Sequence, residues 1–269
     1  MSQATKAADF AKLHQGPDVL VLPNAWDAAS AAVAADAGAE AIATSSAAVA
    51  WAHGQADGDI LPVEVTCAMV AEIVRAVDVP VSCDFEGGFT DDLATLADNI
   101  TRVIEAGAVG INFEDGARDP DLHARKVAAA RAAAEKAGVA LYINARTDIY
   151  LKGLAQGDAA EAESIRRGRL YVEAGASGVF VPGAVDAGLI GRLAAAIPAP
   201  LNVIAWPGVP DAKALAGLGA RRLSAGTGTF RAAFAALSRA TSAFLATGDS
   251  AALIAAGEGA PQLQKRFSR

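Results

Sequence analysis

The sequence predicts an α/β protein folded as a (β/α)8 barrel of the TIM type, and three observations predict it. Short apolar, β-branched runs recur along the 269 residues. Each is followed by a longer Ala-rich stretch with apolar residues three and four apart, the helical spacing. A glycine stands where each of five such helices should stop, at Gly38, Gly107, Gly138, Gly175 and Gly219. The phrases DAGAEAIA, EAGAVGIN, EAGASGVF and GLGARRLS repeat this junction, which marks a βα period and not a solenoid repeat. Eight such units in about 250 residues favour closure into a barrel over the alternative, a doubly wound open sheet.

In chain order, strands are expected near 19–23, 40–44, 80–84, 109–113, 140–145, 178–182, 200–204 and 221–224. The helices between them are expected near 27–37, 63–77, 91–106, 121–137, 159–174, 186–196 and 210–217. Residues from about 229 onwards exceed what one closing helix needs. They are expected to form a C-terminal helical extension that packs on the barrel or reaches a neighbouring subunit. No linker or Pro/Ser-rich tract interrupts the chain, so residues 1–269 are expected to form a single domain.

Composition excludes several classes. With 53% hydrophobic and 20% charged residues the chain is globular and not disordered. A net charge of −7, a pI near 5.0 and the lack of any basic run argue against nucleic acid as a partner. The mean hydropathy of +0.29 is largely alanine. The most apolar segment, 28–53, is broken by Asp36, Gly38, Glu40 and a serine pair, so no membrane span or membrane partner is expected. The N-terminal stretch has no apolar core, so no signal peptide is expected. Two cysteines, Cys67 and Cys83, make no disulfide framework and suit a reduced, cytoplasmic setting in which both are buried small residues.

A barrel places its chemistry at the C-terminal ends of its strands. Asp84, Glu86, Gly87 and Gly88 end the third expected strand, Glu114 the fourth and Arg146 the fifth. Asp84 and Glu86, two apart, can face one side of an extended segment. Three carboxylates without His or Cys suit a hard cation, so Asp84, Glu86 and Glu114 are the candidate metal ligands. Arg146 is the candidate partner of a substrate carboxylate or phosphonate. Ser45 and Ser46 can hold another substrate oxygen, and Gly87–Gly88 leave room for a ligand near the backbone. The plainer reading is that strand-end carboxylates cap the next helix, which is the one given to Asp91, Asp92 and Asp148.

With these residues in view the sequence resembles the isocitrate lyase/phosphoenolpyruvate mutase family over roughly residues 10–235. The resemblance rests on the order and spacing of LPNAWDAASA, TSSAAVAWAHGQADGD, VSCDFEGGF, GINFEDG, INARTD and LGARRLSAGTGTFRAA. It implies a modified (β/α)8 barrel whose eighth helix is often swapped between subunits of a homodimer or homotetramer. It further implies Mg2+, with Mn2+ as the possible substitute, around Asp84, with Glu86 and Glu114 acting directly or through water. Asp57 matches a carboxylate near the metal's waters, Ser45 and Ser46 match substrate-oxygen ligands, Arg146 matches the substrate-binding arginine, and Trp26 lines the pocket edge. Glu86 stands where Asp is more usual. His53 matches no catalytic position and reads as a surface loop histidine.

One departure shapes the functional expectation. Lyases of the isocitrate type carry a long gating loop with a Lys-Arg-Cys-Gly-His type segment. Here EDGARDPDLHARKV runs straight into the next helix, without that order and without a cysteine, and Lys126 falls on the helix. The chemistry expected to survive is stabilisation of a pyruvate-type enolate. The leading expectation is therefore an Mg-dependent carbon–carbon lyase acting on a small 2-oxo or 2-hydroxy acid, oxaloacetate-type decarboxylation included. A phosphonopyruvate-type mutase or hydrolase is the alternative enzyme, and a barrel that binds a 2-oxo acid without turnover is the alternative from another class.

Overall fold

A computed structural model describes residues 1–268, so the last position of the expected 1–269 domain lies outside the described residues. The strands are β1 (Leu20–Leu22), β2 (Asn24–Ala25), β3 (Ile42–Thr44), β4 (Val81–Asp84), β5 (Gly110–Glu114), β6 (Tyr142–Arg146), β7 (Gly178–Phe180), β8 (Leu201–Ile204) and β9 (Ala220–Ser224). All pair in parallel in one sheet of order β1-β9-β8-β7-β6-β5-β4-β3-β2. β1 and β2 are consecutive in the chain, so the ring closes at Pro23. Proline has no N–H to give to a ladder, and the first expected strand breaks there. Its first half pairs with β9 and its second with β3. That break turns eight expected strands into nine segments.

Twelve helices accompany them among the described residues. α2 (Ala28–Asp36), α4 (Val63–Ala76), α5 (Leu93–Glu105), α6 (Pro120–Lys136), α7 (Gly157–Glu173), α8 (Ala187–Ala196) and α9 (Ala212–Gly217) are the expected crossovers, with ends shifted by a few residues. Asp27, Asp92, Asp119, Asp186 and Asp211 cap five of them, each accepting a backbone N–H from the first turn. α1 (Gln3–Lys12) and the short α3 (Ser46–Ala52) were not expected. α1 closes the N-terminal end of the barrel, where Phe10 packs edge-on against Tyr142 at 5.4 Å between ring centroids. A Cβ on Gly110 would lie 2.6 Å from the Phe10 ring, so only glycine admits this plug.

The apolar core lies mainly between the sheet and the helices. The inside of the barrel is polar towards its C-terminal end, with Ser82, Asn112, Asn144, Asn202 and Arg222 all buried. Cys83 is buried in the sheet–helix layer and Cys67 is half-buried on α4. Burial pushes the Cys67 thiol up to about 11 and holds Cys83 well above the usual thiol range.

The C-terminal extension forms α10 (Gly228–Thr247), α11 (Ala251–Ala256) and α12 (Leu263–Phe267). Only Phe230 of α10 is buried, while Phe234, Leu237, Phe244 and Leu245 are exposed. α10 leaves uncovered an apolar groove lined by Val21, Val33 and Ala34 beside Leu223. Val21 is 57% exposed on the outer face of β1. Among the described residues no helix is long and apolar enough to cross a membrane.

Candidate active site

The C-terminal ends of the strands open onto a cavity of about 470 Å³ whose lining includes Ser45, Ser46, Asp57, Asp84, Asn112 and Arg146. Five of the expected site residues therefore meet there: Ser45, Ser46, Asp57, Asp84 and Arg146. The remaining wall is mostly apolar, with Leu151, Phe180, Pro182 and Trp206.

Asp84 ends β4 beside Thr44, whose Oγ1 accepts the Asp84 backbone N–H at 2.7 Å. Its Oδ2 accepts both the backbone N–H and the hydroxyl of Ser46, at 2.9 and 2.8 Å. Its Oδ1 is buried and has no partner among the described residues. A carboxylate oxygen out of water without a donor is costly, and this one belongs to a residue of the cavity lining. Ser45 caps α3 and accepts from Ala48 N at 3.4 Å, which leaves its hydroxyl hydrogen free to donate.

Arg146 is fixed by two carboxylates. Its Nε and Nη2 donate to Asp148 at 2.6 and 3.2 Å, and Nη1 pairs with Glu114 Oε2 at 2.6 Å. Of the five N–H donors of a guanidinium, three are engaged and two on Nη1 and Nη2 remain. Asp148, fully buried, is thus the group that orients the arginine and not a helix cap. Glu114 stands behind Arg146 and outside the cavity lining. Burial raises its carboxyl, Asp148, Asp84 and Asp57 add to the rise, and Arg146 opposes it.

Glu86 does not join Asp84. Its backbone has φ 48°, in the left-handed region that disfavours non-glycine residues. The turn carries its side chain to the loop after α3, where Oε2 accepts the backbone N–H groups of Gly58, at 3.0 Å, and Asp59. Burial, with Asp59, Asp57 and Asp84 nearby, pushes its carboxyl up to about 7 against those hydrogen bonds. Asp57, on the exposed rim of that loop, is also raised, by lost hydration and by Asp84. Trp26 lies outside this cavity. It packs edge-on against Phe230 at 5.0 Å and lines the apolar groove beside α10. His53 is an exposed residue at the end of α3.

The β5–α6 connection is short and tied down. Arg118 pairs with Asp59 and Asp91, each at 2.8 Å. Asp59 Oδ1 accepts from Gly87 N and Phe89 N. The fully buried Lys126 donates to Gly87 O at 2.6 Å and to Asp91 at 2.8 Å. Asp91 is therefore an ion-pair partner, while Asp92 is the helix cap the sequence suggested.

Among the described residues no three carboxylate, His or Cys side chains are close enough to ligate one ion together. The direct set of Asp84, Glu86 and Glu114 is not assembled. The unpartnered Asp84 oxygen amid raised carboxylates still fits a hard divalent cation that keeps most of its waters and takes few protein oxygens. Sequence reasoning missed Asp148, Asn112, Ser224, Trp206 and Arg231, which hold Arg146 or line the cavity. Their strand-end positions at Asp148, Asn112, Ser224 and Trp206 were visible, but no pattern in the sequence marks them.

Comparison with known proteins gives concordant results. The family profile for phosphoenolpyruvate phosphomutase matches residues 10–245. A Mycobacterium tuberculosis protein with no activity in its name is 35% identical over 238 residues, which is 87% of this chain and 88% of that one. The 2-methylisocitrate lyase of Bacillus subtilis is 31% identical over 210 residues, 74% of this chain and 67% of its own length. A crystal structure from Burkholderia cenocepacia, provisionally named a phosphonomutase, superposes with a TM-score of 0.85 at 41% identity, covering 88% of this chain and 99% of that one.

Proposed function

The chain belongs to the isocitrate lyase/phosphoenolpyruvate mutase family of enzymes, and from that premise we propose a divalent-metal-dependent carbon–carbon lyase acting through a pyruvate-type enolate on a small 2-oxo or 2-hydroxy acid. The observation that carries this reading is one cavity lined by both Asp84, whose Oδ1 has no partner among the described residues, and Arg146, which keeps two uncommitted donors. Asp84 would hold the cation, with Asp57 reaching its waters. The bound ion would supply the positive charge that an enolate oxygen needs.

The chain's own residues do the rest. Arg146, pinned by Asp148, takes the substrate carboxylate, and the Ser45 hydroxyl takes a second oxygen. The apolar side chains of Leu151, Phe180 and Trp206 lower the polarity around the breaking bond without closing the mouth to solvent. For a 2-oxo acid, breaking the C3–C4 bond sends its electron pair into a new C2–C3 double bond, and the C2 carbonyl oxygen takes the negative charge of the enolate. The proton that later quenches the carbanion carbon comes from solvent at the open mouth. Neither cysteine lines the cavity, and both are held protonated. Oxaloacetate-type decarboxylation asks least of such a site, because carbon dioxide leaves without a positioned base.

Oxalate, a planar dianion shaped like the pyruvate enolate, tests the reading. Calorimetry should show binding with Mg2+ and none without it, and catalytic release of pyruvate from 2-oxo or 2-hydroxy acids should follow. Failure of oxalate to bind with Mg2+ present would refute it.

A pH dependence follows from the raised carboxyls. The cation competes with protons held on Asp57, Glu86 and Glu114. Mg2+ affinity should therefore rise from pH 5 to pH 8 and level off above the Glu86 and Glu114 values of about 7 and about 8. Titration with Mn2+ followed by electron paramagnetic resonance reads this directly, and a flat profile contradicts it.

The groove beside α10 is assigned to a second copy. α10 carries an exposed apolar face and the barrel carries an apolar groove where an eighth helix would lie. Each copy's helix thus covers the other's groove, as one homo-oligomer. Sedimentation should show dimers or tetramers, shifted to monomers by L237R/L245R. A wild-type monomer at micromolar concentration would exclude the assignment.

A further inference from the structure

Arg222 on β9 is fully buried, yet no carboxylate touches it among the described residues. A buried charge without a counter-ion is expensive, and its place calls for a reason. Its Nε donates to Ser224 Oγ at 3.0 Å, and its Nη2 donates to Asn112 Oδ1 at 3.1 Å. Asn112 and Ser224 both line the cavity, so the guanidinium lies directly beneath the cavity floor.

The hydrogen bond to Asn112 settles which way that amide faces. A guanidinium can only donate, so the Asn112 atom facing it is the oxygen. The same oxygen accepts from Asn144 Nδ2 at 2.8 Å. With its oxygen held from two sides, Asn112 turns its NH2 group the other way, and Nδ2 makes no hydrogen bond among the described residues. In the β4–β5 ladder Asn112 is the register partner of Asp84. A residue with a free donor therefore pairs in register with Asp84, and both residues line one cavity. The cation behind the amide oxygen polarises the amide and makes its N–H a stronger donor.

We infer that Asn112 is a substrate-contacting residue, donating its amide N–H to the oxygen of the 2-oxo acid that lies beside Asp84, and that Arg222 is the positioning residue that holds this donor towards the cavity. The inference rests on the enolate reading above and adds to it a neutral donor for developing negative charge, set by a cation that never meets the substrate. An amide donates to an anionic oxygen without bringing a proton that could be lost to it, so it serves both the bound acid and its enolate. It also gives the buried arginine its role, which core packing does not.

Oxalate binding in the presence of saturating Mg2+ is the test, with Mg2+ affinity measured separately for every variant. N112A should bind oxalate about ten- to a hundredfold more weakly, the range for a lost hydrogen bond to a charged group, with Mg2+ affinity unchanged. N112D should be weaker still, because it turns an acceptor towards the anion. R222M should reproduce most of the N112A loss, and R222K, which keeps a charged donor, should recover part of it. In the double variant N112A/R222M the two losses should not add. If R222M fails to fold, N112A and R222K decide alone. Oxalate affinity in N112A equal to wild type overturns the inference while leaving the enolate reading standing. A loss explained wholly by weaker Mg2+ binding overturns it as well. Wild-type protein that ignores oxalate removes the reading and this inference together.

Discussion

Asp84→Ala abolishes Mg2+-dependent oxalate binding, with affinity falling by about a hundredfold or more, while the barrel stays folded. Loss of an outer partner of a metal ligand already costs about ten- to a hundredfold, and among the described residues Asp84 alone has a carboxylate oxygen that is both buried and unpartnered. No neighbour can replace it. Glu86 is turned onto the Gly58 and Asp59 amides, and Glu114 is committed to Arg146. Stability separates loss of the site from loss of the fold, and it has a definite sign. Asp84 raises the carboxyls of Asp57, Glu86 and Glu114. A carboxyl raised in the folded state contributes stability that is present below its unfolded value and lost as pH climbs through its folded one. For Glu86 that window runs from about 4.5 to about 7. Removing Asp84 lessens the loss. In EDTA, the melting temperature of Asp84→Ala relative to wild type should therefore climb between pH 5 and pH 8. A relative melting temperature that falls over that range, or retained Mg2+-dependent oxalate binding, contradicts the assignment.

The barrel was legible in the sequence because its signals are local. The alternation of short strands and capped helices needs only nearest neighbours, and Asp27, Asp92 and Asp186 cap the helices that follow them. α1 escaped notice although Ser2 caps it and Ala7 and Phe10 lie on its buried side. Its role as a plug depends on Gly110, a hundred residues away. No helix is expected at α3 because its seven residues follow a strand without a break. In the site, Asp84 and Arg146 were legible because strand ends in a barrel converge whatever the loops do. Glu86 was misplaced because alternation along an extended strand fails once the backbone turns to φ 48°. Trp26 was assigned to the pocket edge, but its neighbours Phe230 and Phe234 draw it to α10. The orientation of Asn112 could not be read locally at all. It is set by Arg222, from a strand that closes the ring on the far side of the chain.

Arg146→Ala has two large consequences that must be kept apart. Truncating one partner of a desolvated, hydrogen-bonded charge pair costs about 2–5 kcal/mol of binding, so oxalate and 2-oxo acids should bind at least about thirtyfold more weakly. The same change strips the cation from Glu114 and from the fully buried Asp148. Breaking a buried pair in that way costs about 3–5 kcal/mol of folding stability. The stability loss should grow with pH, because the already raised Glu114 carboxyl rises further without Arg146 and must shed its proton in a dry site. It should be smallest near pH 4 and largest above pH 7. Added Mg2+ should recover part of it if the ion sits near Asp84, since it returns positive charge to the cluster. Arg146→Lys discriminates between the two effects. A lysine keeps one charge near Glu114 and Asp148 but lacks the fork that engages Asp148 through two nitrogens and still leaves donors for a substrate. It should restore most of the stability and little of the oxalate affinity. Recovery of both would mean that charge alone is what Arg146 supplies, and recovery of affinity without stability would put the substrate contact elsewhere on the cavity wall.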